Sequence, residues 1–68
     1  MKTNFSKRLN ELMVEKNINS LALSKIVGVN SSTILRWRKG TTNPTIDKLL
    51  LLCKFFKVSS NYILGIKD

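Results

Sequence analysis

Sixty-eight residues carry twelve Lys and Arg against four acids, a formal net charge of +8 and a sequence pI near 10.2, with one cysteine and no histidine. That length leaves one small domain, burying roughly 60% of its unfolded surface, and no second core. The inventory excludes an intrachain disulfide and a His/Cys metal site, while so basic a balance points to nucleic acid or an anionic surface as the partner.

Phe5, Leu9, Leu12 and Met13 recur at helical spacing, with Lys7, Arg8, Glu11 and Glu15 between them. This predicts a first helix capped by Thr3 or Asn4 and ended by Asn17. The polar and charged opening from Met1 to Asn10 does not have the form of a signal peptide. Asn19 caps a second helix, Ser20 to Val27, and Gly28 supplies the left-handed residue after it. Asn30 caps a third helix, Ser31 to about Lys39, closed by Gly40. Leu23, Ile26, Val27, Val29, Ile34 and Trp37 fall where two short helices need them to bury their facing sides.

Thr41, Thr42, Asn43 and Pro44 form a loop, because proline biases its predecessor away from helix. Thr45 caps a fourth helix, with Asp47 in its positive first turn and Ile46, Leu49, Leu50, Cys53 and Phe56 expected on its buried face. Ser59 caps a short fifth helix through Tyr62, Ile63 and Leu64, with Gly65 as its stop. No repeat, low-complexity linker or alternating strand pattern is present, and the apolar run Leu49 to Cys53 is far too short to span a bilayer. The expected architecture is all-α, a compact five-helix bundle forming one domain over residues 1–68.

The two helices on either side of Gly28 have the layout of a helix-turn-helix, which presents its second helix to a DNA major groove. No acid occurs between Glu15 and Asp47, and that gap holds Lys16, Lys25, Arg36, Arg38 and Lys39. A membrane-surface helix would need its basic residues opposite a large apolar face, which this gap does not show. On the third helix Ile34 and Trp37 point inward with Thr33 partly covered, so Ser31, Ser32, Leu35, Arg36 and Lys39 share the outer face. Arg36 suits a bidentate pair of bonds to guanine O6 and N7, Ser31 and Ser32 can donate or accept, and Leu35 suits a thymine methyl. The plain alternative for Arg36 is an exposed helix cation. The amides opening the second helix, at Ser20 and Leu21, form an anion site.

The pattern L-S-x-x-x-G-V-N-x-x-T-I-x-x-W-x-x-G, Leu23 to Gly40, followed by N-P-T-I at Asn43 to Ile46, resembles the Cro and phage-repressor family of xenobiotic-response-element-like regulators. The resemblance runs from about Leu9 to Gly65 and implies the lambda-repressor-like fold. It implies base contacts from Ser31, Ser32, Leu35 and Arg36. Phosphate contacts from Lys39, Thr41, Thr42 and Asn43 would join those of Ser20 and Leu21, although Thr41 and Thr42 equally suit a plain turn. Two departures stand out. The position of Ser20 is commonly a glutamine, which reaches further than serine. Where many members pair an arginine on the first helix with a glutamate near the end of the third, this chain has Met13 and Arg38, so Arg38 is expected to turn outward.

Other residues have plainer roles. Cys53 is expected as a small buried packing residue rather than a redox sensor, and Trp37 as a core anchor. Ser24 can bond back to its own helix. With no metal ligands, no cofactor motif and no Gly-rich or nucleophile motif, an enzyme is not expected. Leu51 and Phe55, four apart, either extend the core under the fifth helix or form an apolar patch with Tyr62 and Ile66.

The function expected is a sequence-specific, cytoplasmic, double-stranded-DNA-binding regulator. It would act as a repressor and a homodimer on a two-fold site, since one short helix reads few base pairs. In a chain this short no ligand-sensing domain is expected. The competing function is a protein-binding module, such as an antitoxin that engages its partner through Leu51 and Phe55.

Overall fold

In the computed structural model, which describes residues 4–65, five helices follow in order. They are α1 (Phe5–Lys16), α2 (Ser20–Val27), α3 (Ser31–Lys39), α4 (Ile46–Phe56) and α5 (Ser60–Leu64). Short polar caps set their starts. The Asn19 side chain accepts from the Ala22 amide at 2.8 Å, and the Ser59 hydroxyl accepts from the Tyr62 amide at 3.1 Å. Asn4, Asn30 and Thr45 occupy the equivalent positions of the other helices without a side-chain cap bond. Thr3, the other candidate cap of α1, lies outside the described residues.

Each helix ends on a left-handed residue: Asn17, Gly28, Gly40, Lys57 and Gly65. Just after three of them, Ile18, Val29 and Val58 each donate an amide to a carbonyl five residues back while packing on the core. That contact fixes the exit angle of the chain and satisfies carbonyls the helix leaves open.

The core collects Phe5, Leu9, Leu12 and Met13 from α1, Leu23 and Val27 from α2, Ile34 and Trp37 from α3, Leu52, Cys53 and Phe56 from α4, and Ile63 from α5. Phe5 meets Trp37 edge to face at 6.4 Å, which seats α3 on α1. α2 packs on α3 and α4, and α5 packs on α1 and α4. The amide of Asn4 donates to the Leu64 carbonyl at 2.9 Å, and a side chain on Gly65 would come within 2.6 Å of the Asn4 Cβ.

Two packing expectations are corrected. Ile26 is exposed rather than facing α3. On α4 the buried face is Leu49, Leu52, Cys53 and Phe56, while Ile46 and Leu50 are 73% and 57% exposed. The reason is angular. Positions 49, 52, 53 and 56 lie within one arc of about 100°. Ile46 and Leu50 lie beyond its edge, and four consecutive leucines let the periodicity be phased either way.

Candidate nucleic-acid interface

α3 separates its two faces cleanly. Ile34 and Trp37 are buried, whereas Ser32, Leu35, Arg36 and Lys39 are exposed and spaced to form one outer strip, with Ser31 half-buried at its start. Leu35 is 44% exposed, unusual for a leucine flanked by buried Ile34 and near Trp37. Trp37 therefore anchors the core, and Thr33 is half-covered.

The turn that presents α3 is held by several bonds. Gly28 has φ +82, with its amide on the Ser24 carbonyl at 2.8 Å. The Ser24 hydroxyl, itself buried, donates to the Leu21 carbonyl at 2.6 Å, bonding back to its own helix. Lys48 of α4 donates to the Val27 carbonyl at 3.2 Å, putting a cation on the negative end of α2. Sequence reasoning missed Lys48, because its partner lies 21 residues away and a lysine between Asp47 and Leu49 looks like an ordinary solvated charge.

At the start of α2, Asn19 satisfies the Ala22 and Leu23 amides, which leaves those of Ser20 and Leu21 for an outside acceptor. Leu21 is 56% exposed beside them. After α3, the Thr41 hydroxyl and amide both bond the Arg36 carbonyl, at 3.2 and 3.0 Å, so Thr41 closes the helix that carries Arg36. Thr42 and Asn43 are exposed.

Arg38 does not turn outward. Its Nε donates to Asn10 Oδ1 at 2.5 Å and its Nη1 to Ser20 Oγ at 2.9 Å, while Asn10 Nδ2 donates to the Arg38 carbonyl at 3.1 Å. A guanidinium with rigidly forked donors thereby joins α1, α2 and α3. Asn10 gave no signal in the sequence beyond being polar at the margin of an apolar stripe.

The proposed partner patch divides. Phe55 is half-buried, packed on the core and edge to face with Phe56 at 4.9 Å, which makes it an extension of the core. Leu51 is 43% exposed, and Tyr62, 38% exposed, lies under the Arg8 guanidinium at 4.8 Å. Ile66 lies outside the described residues. Burial pushes the Cys53 thiol above its ordinary range, as a packing residue requires. No helix among the described residues is long and apolar enough to cross a membrane, and they hold no cluster of metal-ligand type.

Known proteins with this architecture were found by sequence and by shape. The profile of the Cro/C1-type HTH DNA-binding domain matches residues 8–67. The cryptic phage CTXphi transcriptional repressor RstR of Vibrio cholerae is 33% identical over 54 residues, covering 79% of this chain and 49% of RstR. The chain spans about half the length of the curated relatives it matches. Among solved structures, the P22 c2 repressor in complex with a synthetic operator is 30% identical with a TM-score of 0.86, covering 93% of this chain and 96% of that one. A transcriptional regulator from Listeria innocua, 24% identical, shares the fold with a TM-score of 0.94 over 100% of this chain and 64% of its own.

Proposed function

Because this chain belongs to the Cro/C1-type helix-turn-helix family of DNA-binding transcriptional regulators, which are not enzymes, we propose that it represses transcription by binding a two-fold operator as a homodimer. Its residues 1–68 act as one DNA-binding unit in the cytoplasm, needing no cofactor. The observation that carries this reading is the outer strip of α3, where Ser32, Leu35, Arg36 and Lys39 stand exposed over a buried Ile34 and Trp37. The strip lies in the acid-free stretch between Glu15 and Asp47.

In this reading α3 enters the major groove. Arg36 donates to guanine, Ser31 and Ser32 bond base edges, and Leu35 meets a thymine methyl. Ser20 and Leu21 offer amides to one phosphate, and Lys39, Thr41, Thr42 and Asn43 line the backbone beyond α3. The operator complex of the P22 c2 repressor, similar over nearly its whole length, supports this docking. Exposed Leu51 and Tyr62, with Ile66, are the proposed subunit contact. Selection of bound duplexes from a random pool tests the whole reading: two inverted half-sites about one helical turn apart are expected. A single half-site would remove the dimer, and no enrichment would remove sequence-specific binding.

A second reading, an antitoxin-like module that binds another protein, is favoured by one observation. Ile46, Leu50 and Leu51 leave three large apolar side chains exposed on α4. Co-purification with a small companion protein from the native host discriminates it.

A further inference from the structure

We infer that Arg38 is a positioning residue of the phosphate clamp, holding the Ser20 hydroxyl in the orientation that lets it donate to DNA. This rests on the reading above, in which Ser20 faces a phosphate. The geometry is specific. Arg38 Nη1 donates to Ser20 Oγ at 2.9 Å, so the hydroxyl accepts through a lone pair and keeps its own proton to give away. Ser20 is the first residue of α2, where no preceding helical carbonyl is available to take that proton. Ser24, one turn later, spends its own on the Leu21 carbonyl.

The guanidinium is itself fixed. Nε is anchored on Asn10 Oδ1, and Asn10 returns a bond to the Arg38 carbonyl, so the side chain cannot swing without breaking contacts to α1. Among the described residues its side-chain partners are both neutral, Asn10 and Ser20, so its full positive charge stays beside the amide end of α2. An arginine paired with a carboxylate would cancel that charge. Here the same tie between helices adds to the pull on an anion. The arrangement also offsets the short reach of serine, because a hydroxyl held rigid loses less freedom when it bonds.

A double-substitution cycle on the full 68-residue chain tests this. Affinity for the selected operator and the melting temperature are measured for Ser20→Ala, Arg38→Met and the two combined. Ser20→Ala alone is expected to weaken binding about ten- to hundredfold, the worth of one hydrogen bond to a charged group, with little change in melting. On the Arg38→Met chain the same Ser20→Ala change is expected to cost less than about twofold, because the hydroxyl is already released. Where Arg38→Met does not fold, Arg38→Lys replaces it. The lysine ammonium ends near the position of Cζ, short of Nη1, so it keeps the charge and loses the bond that Nη1 gives to Ser20, and the same loss of coupling is expected. Losses that multiply independently, in a chain that binds operator, overturn the role of Arg38. A chain with no affinity for any duplex overturns the DNA reading and takes this inference with it.

Discussion

Arg36 and Lys39 sit on the same exposed strip, and the proposed reading gives them different work. A guanidinium can bond two acceptors of guanine at once, whereas an ammonium is a point charge that suits any phosphate. Arg36→Ala is expected to cost about 1–3 kcal/mol on the selected operator and far less on random DNA. Lys39→Ala should weaken all duplexes alike and shallow the salt dependence by about one unit per subunit. Equal losses on every sequence for Arg36→Ala would reassign it as a phosphate contact and move base readout onto Ser31, Ser32 and Leu35. Cys53 gives a pH-dependent test. Its folded-state thiol titrates above the ordinary 9.0 because burial disfavours the thiolate. The unfolded chain therefore loses that proton first, and the stability tied to it is intact below the ordinary thiol range and lost as pH rises above it. Between about pH 8 and about pH 10 the chain should lose more melting temperature than Cys53→Ala, measured in parallel to subtract lysine titration. Identical losses would show that the thiol is already solvated.

At the scale of the helices, their number and ends were legible in the sequence because they are marked by local chemistry. Asn19, Ser59 and Gly28 act on residues three to five positions away, so pattern alone finds them. The phasing of α4 was not, since Leu49 to Leu52 gives every face a leucine and only packing against α2 and α5 selects Leu52. The orientation of Arg38 was hidden for another reason: Asn10 is 28 residues away, and no local rule ties the two. The left-handed ends also make a paired prediction. Around Gly28 there is room for a side chain, with only the Lys48 ammonium at 3.7 Å, so the cost of Gly28→Val lies in its φ of +82. A β-branched residue there should cost at least about 1–2 kcal/mol, a drop of several degrees in melting temperature. Lys57 holds φ +58 with a full side chain. Lys57→Gly should therefore be neutral or raise the melting temperature by a few degrees. A drop for Lys57→Gly as large as that for Gly28→Val would mean that the lysine side chain, not its backbone, matters.

For the molecule as a whole, charge dominates what it can bind. The chain carries +8 on 68 residues, and among the described residues one cation, Arg8, is paired with a carboxylate, Glu11 at 3.9 Å, so most of the described positive charge is not neutralised within the protein and can displace counterions. A dimer that neutralises roughly 6–10 phosphates should lose about 10³–10⁵ in affinity between about 50 and about 200 mM salt. Titration of a labelled duplex measures it, and flat binding would remove DNA as the main partner. The bond from the Asn4 amide to the Leu64 carbonyl has a topological consequence. The two extremities of the described chain touch, so its path is a ring interrupted at one point, and where that interruption falls is a matter of covalent connectivity rather than of packing. A circular permutant that joins the ends by a short Gly/Ser bridge and reopens between Thr42 and Asn43 should fold to the same helices, since exposed polar loops tolerate new termini. Its helical signal should match that of the parent, while its hold on DNA should weaken, because in the proposed docking the new ends would lie beside the phosphate backbone. A permutant that fails to fold would show that the Thr41–Pro44 connection is needed to seat α4, and not only to approach DNA.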